Sequence, residues 1–339
     1  MTAAARPYRV LALDGGGVRG ISTIVWLARL AERHGPAFLD GVDLYAGTSM
    51  GAANAMALAC GSPLDRILQF YQTGDQIFAR RVWPRGVSGR VLQVVSRAPG
   101  FHWIEPAVNV FLPKWEIDGL RGELQAFFGS RRMRELDREV AIVATLLSGT
   151  LTGTAQTSVQ SVVMSRSRSS DEGELECWRA VLRSMAAPVY FPSFEGYVDG
   201  GVFAVNPSLA ALGVAARSPG VDGATGQVRL LSIGCGQCPD GIGQDGPLEW
   251  GMLKWGARFP DIAQTATSGL DDLGVAEILG NRFFRFNPVL ESSPALDDFR
   301  AVDELIHWAE QQTRTPEFES LSRYVEQYFL DRPAASGRS

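Results

Sequence analysis

One stretch decides the fold of this chain: Leu11-Ala12-Leu13-Asp14-Gly15-Gly16-Gly17-Val18-Arg19-Gly20-Ile21. An apolar strand runs into three consecutive glycines and then into a helix. Successive glycines let backbone N–H groups point the same way without obstruction from a Cβ atom, and the helix adds its positive dipole end to the same place. The stretch therefore predicts an anion-binding loop, supported by Arg19, between the first strand and first helix of an α/β fold.

A second strand, turn and helix follow at residues 42–60. The turn is Gly47-Thr48-Ser49-Met50-Gly51, and its Gly-x-Ser-x-Gly spacing is that of a nucleophile elbow, in which the flanking glycines remove side chains that would clash. The carboxyl ends of parallel strands meet at one edge of a sheet, so both turns are expected there. Ser49 is thus the candidate nucleophile, and Gly47 and Gly51 support it.

A serine nucleophile needs a base, which is usually a histidine. None of the three histidines, His34, His102 and His307, falls at a predicted strand end. Asp199 does, and Gly200 and Gly201 behind it leave room for a close approach. A carboxylate in a partly desolvated site has its pKa raised toward the range that a general base needs. Asp199 is therefore the candidate base, although Asp-Gly-Gly is also a common turn.

The glycine loop admits a second interpretation, because Gly15-x-Gly17-x-x-Gly20 also matches the dinucleotide-binding fingerprint. That fingerprint requires an acidic residue at the far end of the second strand, whereas Asp43 lies at its start. A P-loop fits less well, because Ile21 stands where its lysine is needed, although Ser22 carries the hydroxyl. The loop fits an oxyanion hole better, with N–H donors that face a tetrahedral intermediate.

Composition limits the remaining classes. The 339 residues are 45% hydrophobic and 20% charged, which is typical of a folded globular chain, and the net charge of −5 argues against nucleic-acid binding. Four scattered cysteines predict a reducing compartment, and Cys235-x-x-Cys238 lacks the partners of a zinc site. With no signal peptide and no apolar run long enough to span a bilayer, a cytoplasmic location with peripheral membrane contact is expected.

Residues 62–138 predict an insertion rich in arginine and large aromatic residues. Such a mixture suits an interfacial surface that meets anionic headgroups, or a satellite core whose arginines are solvated. We predict one catalytic domain over residues 7–330 that contains this insertion, followed by a frayed tail at 331–339.

Three motifs in this order resemble the patatin-like phospholipases, also called lipid acyl hydrolases: Asp-Gly-Gly-Gly-Val-Arg-Gly, Gly-Thr-Ser-Met-Gly and Asp-Gly-Gly. The match extends to residues 186–192 and to Asn206-Pro207. The resemblance implies a three-layer α/β/α sandwich around a mostly parallel sheet, with no metal and no cofactor. It implies Ser49 as nucleophile, Asp199 as its dyad partner, and an oxyanion hole formed by the amides of Gly15, Gly16 and Gly17.

The predicted function is hydrolysis of fatty-acyl esters of phospholipids through an acyl-enzyme on Ser49. One alternative is an effector phospholipase that a cyclic nucleotide activates, with the arginine-rich insertion as the phosphate site. The other is a non-catalytic dinucleotide-binding protein that uses the glycine fingerprint.

Overall fold

The structure is a computed structural model. It describes residues 6–72, 74, 77–78, 82–83, 87–96, 108–109, 111–151, 154–156, 158–167, 169–218, 221, 225–238 and 252–330. His102, the tail at 331–339 and much of the arginine-rich insertion lie outside these residues.

Strands and helices alternate along the first part of the chain, and helices dominate the last part. The strands are β1 (Tyr8–Leu13), β2 (Leu44–Thr48), β3 (Glu139–Leu146), β4 (Gly149–Leu151), β5 (Thr154–Gln156), β6 (Gln160–Ser165), β7 (Tyr197–Asp199), β8 (Val228–Ile233) and β9 (Phe283–Phe286). The helices are α1 (Gly20–His34), α2 (Ala37–Asp40), α3 (Met50–Ala59), α4 (Leu64–Gln72), α5 (Val87–Val95), α6 (Ile117–Phe128), α7 (Ser170–Gly173), α8 (Cys177–Met185), α9 (Ser208–Ala215), α10 (Met252–Leu279), α11 (Val302–Gln312) and α12 (Pro316–Tyr328).

The main sheet has the strand order β6-β3-β2-β1-β8-β9. From β3 to β9 all neighbours in this order are parallel, whereas β6 pairs with β3 in the antiparallel sense. The neighbours of β1 are β2, which comes next in the sequence, and β8, which comes much later. The loop after β1 therefore lies at the point where the strand order reverses, and this is where ligands bind in doubly wound folds.

Both faces of the sheet are covered, which explains why its strands are nearly continuous apolar runs. In β1, Leu11 and Leu13 belong to one hydrophobic cluster together with residues of α1, α3, α8 and α11, and Val10 and Ala12 belong to a second cluster with residues of α9 and α10. Side chains of a strand alternate between its two faces, so β1 contributes residues to both clusters. The result is the predicted α/β/α sandwich.

Strand β3 brings the two halves of the site together because two strands share one of its sides. Strand β2 pairs with the first part of β3 and ends with Thr48 opposite Val143. Strand β7 runs antiparallel along the next residues, with Asp199 opposite Ala144. The residue that follows β2 and the last residue of β7 consequently meet, although they are far apart in the sequence.

The apolar patterns at residues 228–233 and 283–286 predict strands, and β8 and β9 have these limits. The sequence pattern predicts two separate helices, over residues 248–257 and 260–279. Instead, the helix begins earlier, and α10 continues through Pro260 to Leu279 as one element. Within the described ranges, no helix is both long enough and apolar enough to cross a membrane.

Two helices within residues 62–138, α4 and α6, pack on the main core. Phe70 and Tyr71 of α4 and Leu120 and Leu124 of α6 belong to the larger cluster, and the Arg66 guanidinium lies over the Phe127 ring at 4.4 Å. These residues therefore belong to the main core and not to a separate satellite core. That the other arginines of residues 62–138 form a surface that meets anionic headgroups stays a prediction.

Candidate active site

The turn after β2 is strained at Ser49. This residue has φ 55° and ψ −126°, a conformation that residues with a Cβ rarely adopt and that costs about 1–3 kcal/mol. Two glycines permit it: a Cβ on Gly47 would lie 2.2 Å from the Gly51 carbonyl oxygen, and one on Gly51 would lie 2.3 Å from the Leu13 carbonyl oxygen. The turn is a nucleophile elbow in form, and α3 begins directly after it.

The Ser49 hydroxyl does not cap α3, although serine commonly caps a helix. Instead, its Oγ donates a hydrogen bond of 2.6 Å to Oδ2 of Asp199. The other carboxylate oxygen of Asp199, Oδ1, accepts from the Gly201 amide at 2.7 Å. One oxygen is thereby held by the backbone, and the second is directed at the serine.

Asp199 is almost completely buried, with 5% of its surface exposed. Burial raises the pKa of its carboxyl to about 6, and the hydrogen bonds from Ser49 and from the Gly201 amide oppose this effect. The carboxylate therefore remains ionised at neutral pH but holds a proton far more readily than an exposed aspartate does. This is the property that a general base needs.

Ser184, which the sequence analysis did not identify, fixes the backbone of the elbow. Its Oγ accepts from the Ser49 amide at 2.8 Å and donates to the Val143 carbonyl at 2.6 Å. Close by, the Asp199 amide donates to the Ala186 carbonyl at 3.0 Å. Helix α8 and the residues after it thus position both members of the pair. In the sequence, the feature that could have identified Ser184 was a serine just before Ala186-Ala187-Pro188.

The glycine loop lies directly beside the elbow. A Cβ on Gly15 would lie 3.1 Å from the Ser49 Cβ, and one on Gly16 only 2.2 Å from the Cys235 Sγ. Gly17 has φ +57°, and a Cβ there would lie 2.2 Å from the Leu296 carbonyl oxygen. Larger residues at these three positions would force the loop away from its neighbours.

The structure narrows the predicted set of oxyanion-hole amides. The Gly15 amide donates to the Val205 carbonyl at 3.0 Å, so it is already satisfied and is not available to a substrate. Among the described residues, the amides of Gly16 and Gly17 have no hydrogen-bond acceptor. Arg19 stabilises the loop, because its Nε donates to the Gly16 carbonyl at 3.2 Å and its Nη1 to the Cys238 Sγ at 2.7 Å.

A buried ion pair anchors the start of the loop. Arg285 of β9 donates from Nη1 to Oδ1 of Asp14 at 2.8 Å and from Nη2 to Oδ2 at 2.5 Å. Its Nε lies 3.2 Å from Oδ2 of Asp272, which also accepts from Asn206. Burial raises the pKa of Asp14, and the Arg285 charge opposes this. Sequence reasoning missed Arg285. The signal for it was an arginine among aromatic residues in Phe-Phe-Arg-Phe, because an arginine that is buried in a strand needs an acidic partner.

The remaining candidates lie away from the pair. His34 contacts Ser322, and His307 contacts Gln311. Asp43 precedes β2 and accepts from Arg6 and from the Arg9 amide, so the dinucleotide interpretation lacks the acidic residue it requires at the strand end. Across the ranges that the structure describes, no group of three or more His, Cys, Asp or Glu residues is arranged to hold a metal ion.

A strained serine between a strand and a helix has the geometry of a nucleophile elbow. The family model described as Patatin-like phospholipase matches residues 11–212. The chain therefore belongs to the patatin-like phospholipase family, whose members are lipid acyl hydrolases.

Several curated proteins are similar over most of their length. The chain is 26% identical to Protein teg of Priestia megaterium over 93% of this chain and 98% of that protein. It is 28% identical to a cGAMP-activated phospholipase of Pseudomonas aeruginosa over 88% of this chain and 83% of that protein. Among solved structures, VipD of Legionella pneumophila matches with a TM-score of 0.38 and 13% identity, covering 96% of this chain and 68% of that one.

Proposed function

We propose that the protein hydrolyses fatty-acyl esters of phospholipids through a Ser49–Asp199 dyad. The observation that carries the proposal is the hydrogen bond of 2.6 Å from the Ser49 Oγ to Oδ2 of Asp199. Asp199 takes the Ser49 proton as the oxygen attacks the ester carbonyl carbon. The leaving alcohol receives that proton, and an acyl-enzyme on Ser49 remains.

Water then attacks the acyl-enzyme, with Asp199 again as the base, and the fatty acid is released. In both steps negative charge develops on the carbonyl oxygen. The amides of Gly16 and Gly17 are the donors that we assign to this charge, and the positive end of α3 adds to their effect. Arg19 acts by holding the loop through its bond to the Gly16 carbonyl.

A phospholipid panel tests the dyad, with the wild type compared with Ser49→Ala and Asp199→Asn. Both variants are expected to lose hydrolysis and labelling by a fluorophosphonate, because either change removes the activated nucleophile. Ser320→Ala and Asp303→Asn are matched controls on α12 and α11, and both are expected to keep wild-type rates. Substantial hydrolysis by folded Ser49→Ala would exclude the mechanism.

We further propose that the site works at a membrane surface. Phe111 is 86% exposed and Val189 is 67% exposed. The segments that carry them are joined, since the Lys114 amide donates to the Val189 carbonyl. A lipid surface would accept both exposed apolar side chains. Phe111→Ser is expected to lower co-sedimentation with anionic phospholipid vesicles and to leave labelling of Ser49 unchanged.

A second candidate function is hydrolysis that starts only when a cyclic nucleotide binds. It is favoured by the similarity to the cGAMP-activated phospholipase, which extends over 88% of this chain. Hydrolysis measured with and without cGAMP and other cyclic dinucleotides separates the two candidates. Full activity of the unliganded protein, with no response to any nucleotide, would exclude activation.

A further inference from the structure

A buried carboxylate outside the proposed dyad lies next to a contact of the glycine loop. Asp297 belongs to the segment between β9 and α11, and its side chain is 5% exposed. The residue before it, Leu296, accepts a hydrogen bond of 2.9 Å at its carbonyl oxygen from the Val18 amide. The same oxygen lies so close to Gly17 that a Cβ there would be 2.2 Å away. A side chain that fixes Asp297 in place therefore also fixes the carbonyl that holds the glycine loop.

Two side chains from the segment before α6 hold this carboxylate. Oδ2 of Asp297 accepts from the Trp115 indole N–H at 2.8 Å and forms an ion pair with the Lys114 ammonium group. The ammonium group also lies 5.4 Å from the centroid of the Trp115 ring and 5.6 Å from that of the Tyr190 ring. A buried carboxylate is costly unless it is paired and hydrogen-bonded. Lys114 and Trp115 supply the charge and the hydrogen bond that Asp297 requires.

The backbone of Lys114 and Trp115 also binds the segment that holds Asp199. Their two amides donate to the carbonyls of Val189 and Tyr190, respectively, and both distances are 2.8 Å. These acceptors come shortly after the carbonyl that receives the Asp199 amide at 3.0 Å. One pair of residues thus contacts Asp297 through its side chains and the segment of the proposed base through its backbone.

The conformation of Val189 shows that this backbone contact is under tension. Val189 has φ +73°, a left-handed conformation that is strongly unfavourable for a residue branched at Cβ. Strain of this kind persists only where the surrounding structure imposes it. The Val189 side chain is mostly exposed, so burial of that side chain does not offset the strain. The hydrogen bond from the Lys114 amide is a contact that holds Val189 in this conformation.

Aromatic rings join the same three segments a second time. The rings of Trp115, Phe191 and Phe299 lie 5.5, 5.6 and 5.3 Å, respectively, from the Phe78 ring. Each of the three comes from a different segment, and Phe299 follows Asp297 by two residues. Aromatic pairs at such distances add to the free energy of burial. The contact at Asp297 is therefore part of a packed junction and not an isolated surface ion pair.

We propose that Asp297 is a positioning residue for the hydrolysis proposed above, on which this inference rests. Through the Leu296 carbonyl it fixes the glycine loop, and through Lys114 and Trp115 it fixes the segment that holds Asp199. The oxyanion-hole amides and the base are thereby kept at the mutual distance that attack on the ester requires. Asp297 itself exchanges no proton in this role.

The kinetics of Asp297→Ala on a phospholipid substrate measure this role. Loss of the carboxylate is expected to lower kcat about tenfold or more with little change in KM, because the donors and the base lose their alignment in the transition state. Labelling of Ser49 by a fluorophosphonate is expected to slow as well, since the phosphoryl oxygen of the probe occupies the oxyanion position. Asp297→Asn keeps an oxygen for the Trp115 N–H and is expected to retain more activity than Asp297→Ala.

A double variant tests the contact itself. Trp115→Phe keeps a ring beside Phe78 but removes the N–H group, so it is also expected to lower kcat. Combined with Asp297→Ala, it is expected to cost less than the product of the two separate losses, because both changes act through one contact. Losses that multiply fully, or a folded Asp297→Ala with wild-type kcat or with a change in KM alone, would overturn the proposal. If Asp297→Ala does not fold, wild-type kcat in both Asp297→Asn and Trp115→Phe overturns it instead.

Two further variants separate this proposal from the dyad. Asp303→Ala is the matched control, because Asp303 is an exposed aspartate at the start of α11, and it is expected to keep the wild-type kcat and KM. Hydrolysis that persists in Ser49→Ala would exclude the dyad, whatever Asp297→Ala does. Hydrolysis lost in Ser49→Ala but unchanged in Asp297→Ala would leave the dyad intact and overturn only the role of Asp297.

Discussion

Replacing Asp199 with asparagine is expected to stabilise the protein above pH 6. The carboxyl is 5% exposed, and burial raises its pKa from the ordinary 3.8 to about 6. A folded state that raises the pKa of an acid favours its neutral form. The stability that the neutral carboxyl gives the wild type is therefore fully present below pH 3.8 and is lost as the pH rises through about 6. The amide of Asp199→Asn never ionises, so the variant keeps this stability at every pH.

The size of the effect follows from the two pKa values. The difference between 3.8 and about 6 corresponds to about 3 kcal/mol in the free energy of unfolding. Asparagine has the same shape, and its carbonyl oxygen is able to accept the Gly201 amide in the place of Oδ1. Above about pH 7, Asp199→Asn is thus expected to gain up to about 3 kcal/mol over the wild type.

Urea unfolding at a series of pH values measures this gain. The two proteins are expected to differ most above pH 6 and to converge as the pH falls toward 3.8. Asp303→Asn on α11 carries the same substitution at an exposed position and is the control. An Asp199→Asn variant less stable than the wild type at about pH 8 would refute the assignment of a buried, costly carboxylate. If the buried charge of Asp199 is kept for catalysis, its removal is expected to raise the free energy of unfolding and to abolish hydrolysis at the same time.

Three further predictions concern the site. The kcat/KM for ester hydrolysis is expected to rise as the pH passes about 6, because Asp199 acts as a base only when ionised; a pH profile without that step would contradict this. Gly51→Ala is expected to lower Tm and abolish hydrolysis, because its Cβ would lie 2.3 Å from a β1 carbonyl oxygen. Gly122→Ala on α6, where a Cβ meets nothing within 4 Å, is the control and is expected to leave both unchanged or to raise Tm. Arg285 donates from two guanidinium nitrogens to the two oxygens of Asp14, whereas lysine has a single ammonium group. Arg285→Lys is therefore expected to lower kcat about tenfold or more, with a smaller effect on KM. A folded Arg285→Lys with wild-type kcat would show that the anchor does not position the loop.

Much of the architecture could be predicted from the sequence, because local patterns carry it. Continuous apolar runs predict strands that are buried on both faces, and β8 and β9 have the limits that the pattern predicts. The elbow is also local, since Gly47 and Gly51 are required by contacts within the turn and with the strand beside it. The helix at 252–279 shows the limit of such reasoning, because Pro260 indicates a helix start and the chain continues through it.

The sequence by itself determined the strands, the glycine loop, the strained turn and the residue types available for catalysis, since each depends on neighbours along the chain. Only the tertiary structure decided which of these groups meet. Asp199 reaches Ser49 because β2 and β7 share one side of β3, and Arg285 reaches Asp14 because β8 places β9 near the loop. Likewise, the Val205 carbonyl accepts a hydrogen bond from the Gly15 amide. Contacts between distant residues depend on how strands and helices are arranged around the whole core, and no local pattern records that arrangement.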